Sequence, residues 1–320
     1  MAESEALKLS SLALIFPGQG SQYPGMTVDL ARESSTARQI IERADQILGY
    51  PLSRIMAKNP GDELNRTVHT QPAVFVHSMA VYEVLRERLP IRPVVAAGHS
   101  LGEISALCAA GILDFETALH VVKVRAAAMD DAQPPGTCGM AAIVGLSPQR
   151  VTELVEMHRM SDVLEAANFN APDQVVVSGT LAAVTRLTEA ASKERRCRTV
   201  ALPVSSAFHT ALMAPATGPL RECLAASSFG SGRFPVVANV NAQVYPSAPA
   251  EIRHLLVHQI VSPVLWEDCV ATMCELGAES FLEVGPGRVL SGLAKRINRN
   301  LKCHSVFDVE SIRSLEEGAT

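Results

Sequence analysis

Gly98, His99, Ser100, Leu101 and Gly102 form a Gly-x-Ser-x-Gly run, and their surroundings suit the chemistry such a run performs. The apolar stretch 93–97 ahead of it reads as a buried strand, and 103–110 behind it as a helix closed by Gly111. A strand, a sharp turn and a helix push the serine into a strained conformation that the two glycines permit, with its hydroxyl exposed at the helix N-terminus. Ser100 is therefore the expected covalent nucleophile. A nucleophilic serine needs a base, and the chain has nine histidines. His209 stands apart: it follows a strand expected at 199–204 and a Ser205–Ser206 turn, and precedes a helix signal at 212–216. It is either the base or an ordinary turn histidine. His69 and His77 fall in or near a long helix, His120 among polar helix residues, His158 in a polar stretch and His304 near the C-terminus. His254 and His258 stand four apart, but without an HExxH pattern they read as a solvated helix face, and no metal is expected.

Two further features bear on chemistry. On the helix expected from 115, Arg125 lies at the edge of an apolar face formed by Phe115, Ala118, Leu119, Val122, Ala126 and Met129. A guanidinium there needs an anion, supplied by an internal Asp or Glu or by a substrate carboxylate held bidentately. Near the N-terminus, Gly18 and Gly20 flank Gln19 directly after an apparent strand. Such a loop lets the backbone approach a ligand closely, as an oxyanion hole requires. It is not a phosphate fingerprint, because neither GxGxxG nor GxxxxGK[ST] is present.

The elements that must position these residues alternate. Strands are expected at 12–16 and 94–97, with helices at 36–48, 71–89 and 115–131, the texture of a mostly parallel sheet with helices on both faces. Gln133, Pro134, Pro135 and Gly136 then mark a linker. Beyond it strands at 140–144, 164–169, 174–178 and 198–202 and helices at 147–157 and 181–193 give the order βαββαβ, that of a ferredoxin-like unit. The rest returns to α/β texture up to about residue 307, and the acidic tail after Asp308 is expected to be loose. The expected organisation is a large α/β subdomain, 1–135 and 204–320, with a small ferredoxin-like subdomain, 136–203, inserted into it and a cleft between them.

Composition bounds the function. The chain has 320 residues, 48% of them hydrophobic, enough for a full core, and a formal net charge of −5 that calls for no nucleic-acid partner. The seven cysteines are scattered, with no CxxC pair, as suits reduced thiols. The start, with Glu3 and Glu5, lacks the basic and apolar regions of a signal peptide. No apolar run approaches the ~18 residues of a membrane span. A soluble, cytoplasmic protein with no membrane partner is expected, and nothing demands more than a monomer.

Together these segments resemble the malonyl-CoA:acyl-carrier-protein transacylase family, including the trans-acting acyltransferases of polyketide synthases. The resemblance runs from Phe16 to about Leu293. It rests on PGQGSQ at 17–22, TQPA at 70–73, GHSLGE at 98–103 and the Arg125 helix. It continues through NFNAPDQVVVSG at 168–179, FHTALM at 208–213, HQIVSPVLW at 258–266 and EVGPG at 283–287. It implies an α/β-hydrolase-like fold with the ferredoxin-like insertion. It implies Ser100 as nucleophile, His209 as base, and the main-chain N–H groups of Gln19 and Leu101 as oxyanion hole. Arg125 would hold the free carboxylate of a malonyl group, and the main chain of Gln259 would orient the histidine, so no Asp completes a triad. Malonyl transfer from coenzyme A to the phosphopantetheine of an acyl carrier protein follows, serving fatty-acid or polyketide synthesis, with no cofactor beyond the coenzyme A thioester. Phe208 resembles the aromatic residue of malonyl-selective members, although plain packing also explains it. An acidic carrier would dock on Lys193, Arg195, Arg196 and Arg198 or on Arg288, Lys295 and Arg296, although either cluster also reads as a plain solvated face. The rival readings are a hydrolase of carrier-bound acyl groups, a methylmalonyl-selective relative, an unrelated esterase or lipase, and a catalytically silent scaffold.

Overall fold

Strand β1 (Leu12–Phe16) is buried at all five positions, as a parallel strand covered on both faces must be. The computed structural model in which it lies describes residues 9–204 and 206–318, so Glu3, Glu5 and Ser205 fall outside it. After β1 come α1 (Val28–Glu33), α2 (Ser35–Leu48), α3 (Leu52–Lys58) and the 22-residue α4 (Thr67–Arg88). Strand β2 (Val95–Gly98) leads into α5 (Leu101–Ala110), which Gly111 closes in the left-handed conformation at φ 82°, and α6 (Phe115–Asp130) follows. Asp114 caps α6 by accepting from Thr117 N–H.

The chain then builds β3 (Cys138–Val144), α7 (Pro148–Arg159), β4 (Leu164–Ala171), β5 (Gln174–Thr180), α8 (Leu181–Ala191) and β6 (Arg198–Ala201). These four strands form a separate antiparallel sheet in the order β4-β5-β3-β6, the ferredoxin-like arrangement. The chain returns through a 3₁₀ turn at Ala211–Ala216, α9 (Thr217–Ala225), the short β7 (Val236–Val237), α10 (Pro249–Gln259) and α11 (Trp266–Glu275). It ends with β8 (Ser280–Val284), α12 (Val289–Ile297), β9 (Lys302–Val306) and α13 (Val309–Gly318).

The large sheet is parallel throughout, in the order β7-β2-β1-β8-β9. Alternate residues of β1 feed different layers: Leu12, Leu14 and Phe16 pack with α4, α5 and α6, while Ala13 and Ile15 pack with Trp266, Val270 and Met273 of α11 and Leu290 and Leu293 of α12. Strand order reverses at β1, and the crevice beyond the carboxyl ends of such strands is where open α/β sheets bind ligands. The small sheet has its own core of Ile143, Val175 and Val177 against α7 and α8. Its other face, with Met140, Ala142 and Val176, joins the main core and looks toward that crevice. Backbone pairing of Ala167 and Phe169 with Val264 ties the small sheet to the large layer.

Several expected elements shift. The long helix starts four residues earlier than expected, at Thr67 rather than 71. The strand ahead of His209 ends at Ala201 rather than 204, and the helix signal at 212–216 is a 3₁₀ turn. The tail after Asp308 is not loose: it is α13, capped by Asp308 Oδ1 accepting from Ser311 N–H at 2.7 Å. Val309, Ile312 and Leu315, three residues apart, bury one side of it, and Asp29 Oδ2 accepts from Val309 N–H at 3.0 Å. No helix among the described residues is long and apolar enough to cross a membrane.

Candidate active site

The turn from β2 into α5 requires its glycines. A Cβ on Gly98 would lie 1.8 Å from Gly102 O, and one on Gly102 would lie 2.0 Å from Phe16 O. The elbow therefore packs directly on the end of β1, which no side chain at either position would allow. Between them Ser100 takes φ 52°, ψ −106°, a conformation that costs roughly 1–3 kcal/mol and persists only where its surroundings hold it.

Around Ser100 three side chains converge from distant parts of the chain. His209 Nε2 lies 2.7 Å from Ser100 Oγ. Its Nδ1 lies 2.9 Å from Gln259 O and 3.1 Å from Ser262 O. Two carbonyls at Nδ1 require the proton there, so Nε2 is left as the acceptor facing the serine hydroxyl. His209 is itself left-handed, at φ 61°, and its ring is buried. Burial first, then the charge of Arg125, lowers its pKa to about 3, so the imidazole is neutral at neutral pH.

Arg125 is 2% exposed, and the internal salt bridge that its position allowed is absent among the described residues. Instead Nη1 donates to Gln71 Oε1 at 2.7 Å, and Nη2 donates to Gln259 Oε1 at 2.8 Å and to Ser100 Oγ at 3.0 Å. Amide oxygens solvate the guanidinium without neutralising it. Burial lowers its pKa to about 10, which still leaves it protonated, and the nearest electrostatic support is the buried Glu103. A buried cation beside a hydroxyl, with no carboxylate partner among the described residues, has the geometry and charge to pair with an anion.

Gln259 is the hub of this arrangement. Its carbonyl receives His209, its Oε1 receives Arg125, and its Nε2 donates to Ser100 O at 2.8 Å. Gln19 and Leu101 line the same cavity, and among the described residues neither main-chain N–H donates to a protein acceptor. Phe208, 7% exposed, forms part of the wall beside His209. The cavity, about 260 Å³, is floored by the strand ends of the large sheet and roofed by Met140, Ala142 and Val176 of the small one.

The structure thus brings together Ser100, His209, Arg125, Gln259, Gln19, Leu101 and Phe208. Three participants were not singled out from sequence: Gln71, Ser262 and Asn239. The first two lie inside quoted motifs, at 70–73 and 258–266, but act through an amide oxygen and a main-chain carbonyl, which carry no chemical flag. Asn239 lies outside every motif, and its Oδ1 accepts from Ser100 N–H at 2.8 Å. His254 and His258 stack at 5.8 Å between ring centroids, and no group of metal-binding side chains occurs among the described residues. Of the two basic clusters, the second is partly consumed: Arg296 pairs with Asp173 at 2.7 Å, and Arg288 lies over Phe307.

The arrangement can attack a carbonyl, shuttle one proton and hold a carboxylate. Comparison with known proteins agrees with that chemistry. Residues 13–313 match the acyl transferase domain family. The malonyl CoA-acyl carrier protein transacylase of Haemophilus influenzae is 41% identical over 97% of this chain and 99% of its own length. That of Bacillus subtilis is 39% identical over 95% and 96%. An acyl carrier protein S-malonyltransferase from Vibrio cholerae superposes with a TM-score of 0.90 at 40% identity, covering 95% of this chain and 99% of that one. A malonyl-transacylase solved in complex with its type II PKS acyl-carrier protein superposes at 0.92, with 39% identity over 96% and 99%. With a family match over nearly its whole length and full-length relatives of this similarity, the chain belongs to the acyl transferase domain family.

Proposed function

We propose that the protein is a malonyl-CoA:acyl-carrier-protein S-malonyltransferase working through a malonyl-serine ester. His209 Nε2 takes the proton of Ser100 as Oγ bonds to the thioester carbonyl carbon. The N–H groups of Gln19 and Leu101 and the N-terminus of α5 stabilise the resulting oxyanion. As it collapses the carbon–sulfur bond breaks, and His209 returns the proton to the coenzyme A thiolate. The phosphopantetheine thiol of the carrier then attacks the ester by the same steps reversed, which is ping-pong kinetics. This chemistry uses no cofactor beyond the coenzyme A thioester.

The observation that carries the substrate assignment is the 3.0 Å contact between Arg125 Nη2 and Ser100 Oγ. One methylene separates the two carbonyl carbons of a malonyl group. An acyl group bonded to Oγ therefore delivers its free carboxylate onto a guanidinium this close, whereas acetyl has nothing to offer and longer diacids overshoot. Phe208 crowds the α-carbon, and a single methyl group is worth about 1–3 kcal/mol, so malonyl is preferred over methylmalonyl. The carrier docks on Lys193, Arg195, Arg196 and Arg198, whose side chains are all exposed and, among the described residues, form no salt bridge. They stand where β6 begins, and the chain beyond its far end, Leu202 and Val204, lines the cavity. The protein acts as a cytoplasmic monomer in fatty-acid or polyketide synthesis, with 136–203 as the roof-forming subdomain on the larger unit of 1–135 and 204–320.

Intact-protein mass spectrometry after brief incubation with malonyl-, acetyl- and methylmalonyl-CoA tests this. Wild type gains a malonyl adduct and Ser100→Ala gains none. Arg125→Ala loses about 10²-fold in malonylation rate, the scale of a lost charge-assisted bidentate contact. Equal acylation by acetyl- and malonyl-CoA would refute the clamp.

A further inference from the structure

Ser100 is held in its left-handed conformation by its own neighbours, and one of them reaches both of the peptides that precede it. Asn239 Oδ1 accepts from Ser100 N–H at 2.8 Å, and Asn239 Nδ2 donates to Gly98 O at 2.8 Å. A single amide thus spans the elbow. It stands there because β7 pairs in parallel with β2, Val237 opposite Ala97, so the residue two beyond Val237 falls beside the turn. On the opposite side Gln259 Nε2 donates to Ser100 O. A trans peptide points its N–H away from its C=O, so that contact also sets the direction of Leu101 N–H.

Asn239 is fixed in turn from below. Its N–H donates to Glu103 Oε2 at 2.8 Å, and its C=O accepts from Leu265 N–H at 2.9 Å. The other oxygen of Glu103 accepts from Tyr245 O–H. Asn239 and Glu103 are wholly buried, and Glu103 has no cation in contact with it among the described residues. Burial raises the Glu103 pKa to about 7, a mark of how unfavourable the site is for a carboxylate. Packing alone would be better served there by apolar side chains. Fully satisfied polar networks impose one geometry, and this one terminates on the nucleophile's peptide.

We infer that Asn239 is a positioning residue for acyl transfer, holding the strained Ser100 peptide in its reactive orientation, with Glu103 and Tyr245 locking Asn239 in place. This rests on the reading of Ser100 as the nucleophile. Asn239 touches no reacting atom. It acts by keeping Ser100 N–H out of the cavity and Oγ at His209 Nε2.

The test is the single-turnover rate of Ser100 malonylation at saturating malonyl-CoA, with KM and thermal unfolding measured alongside, for wild type, Asn239→Ala and Tyr245→Phe. Asn239→Ala is expected to slow acylation about 10²-fold, the effect of a misplacement near 1 Å, while KM changes by less than about threefold. Tyr245→Phe, which removes one hydroxyl and keeps the ring, is expected to slow acylation roughly three- to tenfold. A lowered unfolding temperature with wild-type acylation rates in both variants would reduce the network to a stability role and overturn the inference. Should Asn239→Ala not fold, a wild-type rate in Tyr245→Phe overturns it equally. Absence of a malonyl-serine in wild type would instead overturn the underlying reading of Ser100.

Discussion

At the scale of single residues the site holds one neutral and one charged group within a small volume. Burial keeps His209 neutral, whereas Arg125, whose pKa burial lowers only to about 10, stays protonated in spite of it. The neutral histidine has a pH signature. A histidine whose folded pKa is depressed from 6.5 to about 3 stays deprotonated, and so able to accept a proton, well below the pH at which a free imidazole would charge. Its contribution to stability is present above 6.5 and is lost as pH falls toward the folded value. The profile of kcat/KM for malonyl-CoA, followed from pH 8 down to pH 5, is therefore expected to show no acid limb near the ordinary histidine value. A limb centred at 6.5 or above would mean that His209 is solvated in the working enzyme. With His209 as the proposed base, His209→Ala is expected to cost about 10²–10⁴-fold in acylation.

At the scale of elements, the elbow is a contact between backbones. Phe16 at the end of β1 and Gly102 at the start of α5 touch without side chains between them, so α5 sits low against the sheet, with its N-terminus at the position the proposed mechanism gives to the oxyanion. Gly102→Ala would place a methyl group 2.0 Å from Phe16 O, where no flexible side chain can yield. It is expected to cost at least about 1–3 kcal/mol of stability and to abolish malonylation. Gly292→Ala on the exposed face of α12 is the control, since a Cβ there meets nothing within 4 Å. It is expected to gain about 0.5–1 kcal/mol at unchanged activity, because a helix-interior glycine loses more entropy on folding than alanine. Thermal unfolding with a malonylation assay on both variants checks the pair. The turn at Ser100, its strand and its helix were all legible in the sequence because they are local: adjacent residues with the apolar, glycine and helix-forming texture of one strand-turn-helix. The 3₁₀ turn at Ala211–Ala216 and helix α13 were not, since each is decided by contacts with residues far along the chain.

At the scale of the molecule, the two sheets divide the labour. The parallel sheet brings Ser100 and the loop around Gln19 to its strand ends, and the antiparallel one lays Met140, Ala142 and Val176 over the same cavity, an apolar cover that would limit hydrolysis in the proposed thioester exchange. The carrier then has to reach a roofed cavity, and the proposed docking on Lys193, Arg195, Arg196 and Arg198 makes its approach electrostatic. Arg195→Glu combined with Arg198→Glu is expected to raise KM for the carrier severalfold and to flatten its salt dependence, with Ser100 malonylation by malonyl-CoA unchanged. Stopped-flow acylation set beside steady-state transfer separates the two halves of the reaction. A carrier KM equal to wild type would move the docking surface elsewhere.

What the sequence by itself determined was the chemistry class and the alternation of elements, because both are written in short runs: Gly98 to Gly102, the loop around Gln19, the βαββαβ order of the insertion. What only the tertiary structure decided was the partnership. His209 lies 109 positions from Ser100, and Gln259 lies 159. Nothing local to Arg125 distinguished an internal ion pair from an anion site; among the described residues the ion pair is absent, and its place is taken by Gln71 and Gln259, two uncharged amides supplied by other helices. Asn239 carried no signal, since an asparagine after a two-residue edge strand reads as a turn until β7 is paired with β2. Period and composition report what a residue does to its own segment. Which segments meet is set by packing, and packing is what brought His209, Arg125, Gln259 and Asn239 together around Ser100.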